Sequence, residues 1–359
     1  MDDNGLKKYV ATGNITIVQA MEKIDRNSAG ILYIVDADER LVGSLTDGDI
    51  RRWIIKTGKL EGQASQVLHK DVRYVFESET DRCRRMMEHM KVNSLPVVDS
   101  KLHIKEIVFQ KEFLKARAVK ENCALKNIPV IIMAGGKGTR LYPYTKILPK
   151  PLIPVGEVPI LERILKRFHE FGADEFYLTV NYRKEMIKSY FNEMKHDYTI
   201  HYVEEDKPLG TAGSIKLIEK NFCTPIVITN CDTLIEADYG KVLEYHRDSG
   251  NELTIISSLK NTSIPYGVLH CEKNGIITSI EEKPRLSYFI NTGMYIINPE
   301  HIEWIPEDRV YHMTDLIGEM MKRGRQVGMY PVSEYSFLDM GEFEEMKKME
   351  ERINRKPAL

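Results

Sequence analysis

The sequence predicts an α/β protein: a mixed, mostly parallel sheet flanked by helices, preceded by a smaller α/β module. Three observations carry that expectation. From residue 128 onward, short apolar runs alternate with amphipathic stretches of helical period. The first of these runs, Val130-Ile131-Ile132-Met133, passes directly into a glycine-rich turn, Ala134-Gly135-Gly136-Lys137-Gly138. The first part of the chain repeats itself, since an offset of 63 lays Ile34-Val35-Asp36 over Val97-Val98-Asp99 and residues 18–24 over 81–87.

Taken in order, each copy of the repeat reads as a polar lead-in, an amphipathic helix and a short apolar strand ending in aspartate. A turn, a second strand and a second helix follow. The expected domains are 1–118 for the repeat module, 119–127 for a linker and 128–359 for the larger domain. A charged run over 111–126 is read as the module's last helix plus that linker. In the larger domain the strands are expected at 130–133, 175–180, 199–203, 225–229 and 253–258. Helices are expected at 159–171, 183–194, 212–219 and 239–248. Ligands of such sheets bind beyond the carboxyl ends of the strands, and the motifs below are each expected just after one.

Composition narrows the chemistry. A length of 359 residues suggests two domains, each with its own core. A net charge of −2 with both signs interspersed provides no basic field for nucleic acid, so affinity for phosphate has to be local. No run approaches the ~20 apolar residues of a membrane span. The N-terminal residues lack the apolar core of a secretory signal, and five cysteines (Cys83, Cys123, Cys223, Cys231, Cys271) fall without C-x-x-C pairs. A cytoplasmic location with reduced thiols is the expectation, with neither a zinc site nor a disulfide framework.

The glycine turn is the most specific signal. Gly135, Gly136 and Gly138 allow backbone N–H groups to face a polyphosphate, with Arg140 as a planar fork of donors and Lys150 as a mobile charge. An ATPase-type loop would need Gly-Lys-Ser/Thr after four residues, which is absent. A dinucleotide fingerprint would need glycine where Leu141 stands and a helix starting at once. Pro143, Pro149, Pro151 and Pro154 forbid that helix. What remains, G-G-x-G-T-R-L-x-P-x-T followed by P-K-P-L, resembles the signature of the sugar-1-phosphate nucleotidyltransferases.

That resemblance implies a Rossmann-like nucleotidyltransferase sheet and roles for particular residues. Ala134, the three glycines and Thr139 would hold the triphosphate, with Arg140, Lys150 and Asp232 as catalytic groups. Asn230-Cys231-Asp232 resembles the family's metal-binding aspartate segment, and Asp339 in Phe337-Leu338-Asp339-Met340-Gly341 its partner, so Mg²⁺ is the implied cofactor. Glu281-Glu282-Lys283-Pro284 resembles the E-K-P motif at the sugar phosphate, with Lys283 on the phosphate and Glu282 on a sugar hydroxyl. Asn291-Thr292-Gly293-Met294-Tyr295 resembles the segment lining the sugar pocket, and Gly267 the loop closing over it.

The choice of nucleotide rests on 204–213, EEDKPLGTAG, which resembles the base-and-ribose loop of the GDP-mannose and GDP-heptose branch, as does Asn181-Tyr182-Arg183. Gly210 and Thr211 would then contact the nucleotide, and Glu204 or Glu205 could accept the N–H donors of guanine. GTP is preferred, with UTP, CTP and dTTP open. The implied reaction joins a nucleoside monophosphate to a sugar 1-phosphate and releases pyrophosphate. The N-terminal repeat resembles a CBS-domain pair, a regulatory or dimerising module. Thr46 and Asp49 in its first unit match the family's G-x-x-T-x-x-D ending, while Phe109 and Glu112 take those positions in the second. An adenine nucleotide or pathway product at Thr46 and Asp49, and a homo-oligomer, are implied; plain helix capping by the same two residues is the alternative. The two parts together resemble guanylyltransferases that make GDP-glucosamine for bacterial legionaminic acid synthesis, with mannose, N-acetylglucosamine and heptose phosphates open. A non-catalytic nucleotide sensor of the same fold is the rival reading.

Overall fold

The computed structural model describes residues 6–27, 29–90, 92–109 and 123–355. The expected linker over 119–127, the helix before it and Glu112 lie largely or wholly outside them. The chain divides into two compact units, Met1–Lys120 and Glu121–Leu359.

In the first unit the repeat is visible in the backbone. One copy comprises β1 (Val10–Thr12), α1 (Ile17–Asn27), β2 (Ile31–Val35), β3 (Leu41–Thr46) and α2 (Asp47–Thr57). The other has β4 (Val75–Phe76), α3 (Cys83–Met90), β5 (Ser94–Val98) and β6 (Ile104–Phe109). Each forms a three-stranded sheet with one parallel and one antiparallel pair. The turns match in detail. Asp36 Oδ1 accepts from the amides of Asp38 and Arg40, and Asp99 Oδ1 from those of Lys101 and His103. Glu39 and Leu102, 63 positions apart, both adopt left-handed backbone at φ 61° and 67°. The two turns bridge each other, with the Leu41 amide donating to Leu102 and His103 Nε2 lying 3.1 Å from the Asp38 carbonyl. A buried Tyr33–Ser94 hydroxyl contact of 2.8 Å joins the copies as well.

The second unit is built on β7 (Val130–Met133), a short β8–β9 hairpin (Pro154–Val155, Val158–Pro159), α4 (Ile160–His169), β10 (Glu175–Val180) and α5 (Lys184–Asn192). There follow β11 (Thr199–Glu204), the single turn α6 (Gly210–Gly213), β12 (Ile226–Asn230), β13 (Thr233–Ile235) and α7 (Tyr239–Asp248). The remainder comprises β14 (Leu253–Ser263), the β15–β16 hairpin (Gly267–Cys271, Ile277–Glu282) and β17 (Arg285–Ile297). Last come α8 (Met313–Lys322), β18 (Val327–Val332), β19 (Phe337–Asp339) and α9 (Phe343–Arg355).

Among the described residues seven strands form the main sheet in the order β11-β10-β7-β12-β17-β14-β18, and of these only β17 runs against the rest. The sheet is therefore mixed and mostly parallel. Alternate residues of its central strands face opposite cores. Val130, Ile132, Phe176, Leu178 and Val227 pack with α4, α5 and α7, while Ile131, Tyr177, Ile226 and Ile228 pack with α8. On α4, Ile160, Leu161, Ile164, Leu165 and Phe168 are buried at helical spacing, each contributing roughly 1.5–3 kcal/mol of apolar transfer.

Two expectations are corrected. The helix over 212–219 is a single α turn at Gly210–Gly213 followed by a 3₁₀ turn at Ser214–Leu217, because the Ile218 amide closes an i→i+3 bond to the Ile215 carbonyl and the backbone turns extended at Ile218. Not every motif follows a strand: Asn291 lies inside β17 and Glu282 ends β16. Strand order also locates the site. The chain leaves β7 towards β10 and β11, then returns to β12 on the other side, so the switch point lies beyond the carboxyl ends of β7 and β12.

Candidate functional site

At that switch point the loop after β7 begins with Ala134, buried, donating its amide to the Thr179 carbonyl at 2.9 Å. Gly135 has no room for a side chain, since a Cβ there would lie 2.6 Å from Glu205 Oε1. Gly138 takes left-handed backbone at φ +63°, where a Cβ would also meet Thr145 Cγ2 at 2.9 Å and Lys150 Cβ at 3.0 Å. Gly136 is open to solvent, as are Thr139 and Arg140. Fully buried Thr145 donates to the Gly138 carbonyl at 2.8 Å and so closes the loop on itself. Beyond it the proline-rich stretch forms 3₁₀ turns at Tyr144–Lys146 and Lys150–Leu152 and then the β8–β9 hairpin before α4.

The Asn181-Tyr182-Arg183 segment straps this loop. Tyr182 Oη donates to the Thr145 carbonyl at 3.0 Å and Arg183 to the Lys146 carbonyl at 2.7 Å. Asn181 Nδ2 donates to the Glu205 carbonyl at 2.6 Å, tying β10 to β11. The two glutamates considered for a guanine edge are already engaged. Glu204 is held by Lys184 and Lys188, which draw its carboxyl down to about 2. Glu205 is 7% exposed beneath Gly135; burial raises its pKa, and the Leu209 amide opposes that as a donor at 3.3 Å. Its place is under the loop, not on an open surface.

Lys150 and Asp232 are brought together as an ion pair of Lys150 Nζ with Asp232 Oδ2, both side chains largely buried. Asp339 joins them through the backbone. β13 and β19 pair antiparallel with Thr233 opposite Asp339, and the Met340 amide donates to the Asp232 carbonyl at 2.9 Å. Burial raises the Asp339 pKa first, and the Asp232 charge raises it further, while Lys150 and the Gly341 amide pull the other way. Buried Cys231, next to this charge, has its thiol pushed up to about 12, mainly by burial. Two carboxylates with one lysine suit a hard cation that takes its other oxygens from phosphate and water. Among the described residues no group of three His, Cys, Asp or Glu could form a metal site from protein alone.

The residues expected at the sugar lie on and beside the β15–β16 hairpin and in β17. Gly267 and Glu282 face each other across the β15–β16 hairpin, and Lys283, with φ 48°, pairs with Glu282 at 3.9 Å. Glu282 and Lys283 side chains are about 70% exposed. Asn291 sits where the β14–β17 ladder shifts register, between Met294 opposite Ile256 and Asn291 opposite Ser257. That bulge re-aims its side chain, which accepts from the Gly293 amide at 2.9 Å and donates to Tyr295 Oη at 2.9 Å. Asn230, at the end of β12, packs closely against Gly293 of this bulge.

Gly210 and Thr211 form α6 beyond β11, where Thr211 Oγ1 accepts from the Met313 amide at 3.0 Å. In the N-terminal unit, Thr46 and Asp49 are joined in a capping box on α2. Thr46 Oγ1 accepts from the Asp49 amide at 3.2 Å and donates to Asp49 Oδ2 at 2.6 Å, and Arg52 pairs with Asp49. Sequence reasoning missed Thr145, Tyr182 and residues 308–313 as supports of the site. Only Tyr182 and Thr145 lay within quoted motifs.

Residues 129–356 match the family model for nucleotidyl transferase, and residues 7–56 match that for the CBS domain. A UTP–glucose-1-phosphate uridylyltransferase of Synechocystis is 33% identical over 233 residues, covering 59% of each chain. A mannose-1-phosphate guanyltransferase of Debaryomyces hansenii is 35% identical over 184 residues, covering 49% of this chain and 51% of its own. The chain thus spans about half to three-fifths of the length of these relatives. A Bacillus anthracis structure described as a glucose-1-phosphate thymidylyltransferase shares the fold at 22% identity and a TM-score of 0.50, over 65% of this chain and 97% of its own. With a loop, an acidic pair and a sheet order of this kind inside a family match that runs through more than half of its length, the chain belongs to the nucleotidyl transferase family.

Proposed function

We propose that this protein transfers a nucleoside monophosphate, GMP from GTP first among the candidates, to a sugar 1-phosphate, giving an NDP-sugar and pyrophosphate. Glucosamine 1-phosphate or a related hexose phosphate is the proposed acceptor, for a bacterial surface glycan or nonulosonate. The observation that carries the reading is the Lys150–Asp232 pair with Asp339 on the neighbouring strand, beside the glycine loop.

In the proposed reaction an acceptor phosphate oxygen attacks the α-phosphorus, a new P–O bond forms, and the bond to the departing pyrophosphate breaks. The nucleophile is already an anion, so no general base is needed; the task of the chain is to align two polyanions and offset their charge. Gly135, Gly136 and Gly138 leave the loop amides accessible to phosphate, and Arg140 stands exposed beside them. Asp232 and Asp339 would hold Mg²⁺, which supplies charge neutralisation to the phosphates. Lys150, paired with Asp232, would offset phosphate charge. Glu282, Lys283 and Asn291 would form the acceptor side, and Asn230 would contact the nucleotide.

Incubation with Mg²⁺, each of four triphosphates and a panel of sugar 1-phosphates, with pyrophosphate release as readout, tests this. Release with GTP above the others supports the guanylyl reading. A preference for UTP would move the chain towards the uridylyl relatives, and no release with any pair would leave the rival sensor reading. The N-terminal unit is proposed as a regulatory or dimerising module of a cytoplasmic homo-oligomer. An adenine nucleotide is its proposed ligand, and it would have to compete with the Thr46–Asp49 cap. Calorimetry of the full chain with ATP and AMP, compared with Thr46→Ala, checks that.

A further inference from the structure

One segment outside every motif holds the turn that carries Gly210 and Thr211. Residues 308–313, Asp-Arg-Val-Tyr-His-Met, run alongside residues 207–213. The Tyr311 amide donates to the Leu209 carbonyl at 2.9 Å, and the Tyr311 carbonyl accepts from both Ala212 and Gly213 at 3.0 Å. The approach is close enough to exclude side chains. A Cβ at Gly210 would lie 2.6 Å from the Tyr311 oxygen, and one at Gly213 2.8 Å from the Arg309 oxygen. Lys207 pairs with Asp308 at 2.7 Å across the other end, and the Met313 amide donates to Thr211 Oγ1.

Behind this contact the segment is anchored. Tyr311 Oη donates to Glu319 at 2.7 Å, one helical stretch along α8, and the His312 amide donates to Asp315 Oδ2 at 2.8 Å. α8 in turn buries Met313, Leu316, Ile317 and Met320 against the sheet. His312 is exposed. Its ring lies over Gly210, with Cε1 3.1 Å from where a Cβ would stand, and its Nδ1 accepts from the Thr211 amide at 3.4 Å. An accepting Nδ1 puts the proton of the neutral ring on Nε2.

Resting on the nucleotidyl transfer reading above, we propose that residues 308–313 are a positioning clamp for the turn at 208–213, with His312 its adjustable contact. The clamp sets affinity for the nucleoside triphosphate and not for the sugar phosphate. Its glycines leave the backbone of the turn free to take other paths, so although Leu209 and Ala212 are buried, the amides of Ala212 and Gly213 are fixed by a segment about 100 residues away.

The test is a pair of saturation curves on the full chain, one for GTP and one for the sugar 1-phosphate, read by pyrophosphate release. His312→Ala raises the KM for GTP about fivefold, with the KM for the sugar phosphate moving less than about twofold. His312→Asn, which restores a side-chain acceptor at a helix start, brings the GTP value back to within about twofold of the parent. An equal rise in both KM values, a loss confined to kcat, or an unchanged GTP KM overturns the clamp. Should the parent chain release no pyrophosphate with any triphosphate, it is the transfer reading that fails. Calorimetric GTP titration of parent and His312→Ala still decides the clamp: about fivefold weaker binding supports it and equal binding overturns it.

Discussion

The glycine-loop side of the site and the β15–β16 hairpin hold their candidate residues in opposite ways. Around the loop, Thr145, Tyr182, Arg183 and Asn181 each give a hydrogen bond to backbone, and Lys150 is fixed on Asp232. At the hairpin, the Glu282 side chain pairs with that of adjoining Lys283 at 3.9 Å with both about 70% exposed, and Leu269, Ile277 and Ile280 stand in solvent. The difference teaches where preorganisation has been built in. Charged groups that act on a triphosphate are worth most when held in place before it arrives, whereas a sugar can be met by a surface that adjusts.

The largest test of that contrast is at the buried pair. Lys150→Ala and Asp232→Ala should each cost on the order of 3 kcal/mol of transition-state stabilisation, or ~100-fold in turnover by pyrophosphate release. Turnover equal to the parent in either variant would remove that residue from the site. Gly138→Ala comes next. Its left-handed backbone and the crowding by Thr145 and Lys150 should cost about 2 kcal/mol in thermal or urea unfolding, together with weaker GTP binding.

A smaller effect of opposite sign is expected at Asp339. Its pKa is raised in the fold by burial and by Asp232, so ionisation there opposes folding, and stability is lost as pH rises through the folded value. Asp339→Asn should therefore stabilise the metal-free chain by about 1 kcal/mol at neutral pH while lowering turnover. A lower melting temperature would contradict this. At the other extreme, Glu282→Ala should leave the melting temperature almost unchanged, within about 0.5 kcal/mol for an exposed position, and raise only the KM for the sugar phosphate. A clear loss of stability there would show that the hairpin is braced after all.

How much of this could be read from the sequence follows from the range of the interactions. Gly138, Lys150 and the strand 130–133 are announced by local chemistry: a conformation only glycine takes freely, prolines that stop a helix, and an apolar run ending in a turn. The pairing of Asp232 with Asp339 came from a resemblance, and β13 and β19 carry it across more than 100 residues. β17 and β18 were not foreseen, because their partner β14 lies elsewhere in the chain and cross-strand pairing leaves no local period. The helix expected over 212–219 is cut short. Its apolar spacing is real, yet after one turn the Ile218 amide bonds the Ile215 carbonyl and the backbone turns extended.

The matching turns of the N-terminal unit carry one more consequence. Duplication has kept the backbone path so closely that a leucine, Leu102, tolerates the left-handed geometry its counterpart Glu39 adopts, while the Thr46 position has become Phe109. Symmetry of scaffold without symmetry of contacts predicts half-occupancy: a small molecule that docks through the threonine and aspartate would fill one berth per polypeptide, and any stoichiometry of two would mean that a different surface is in use.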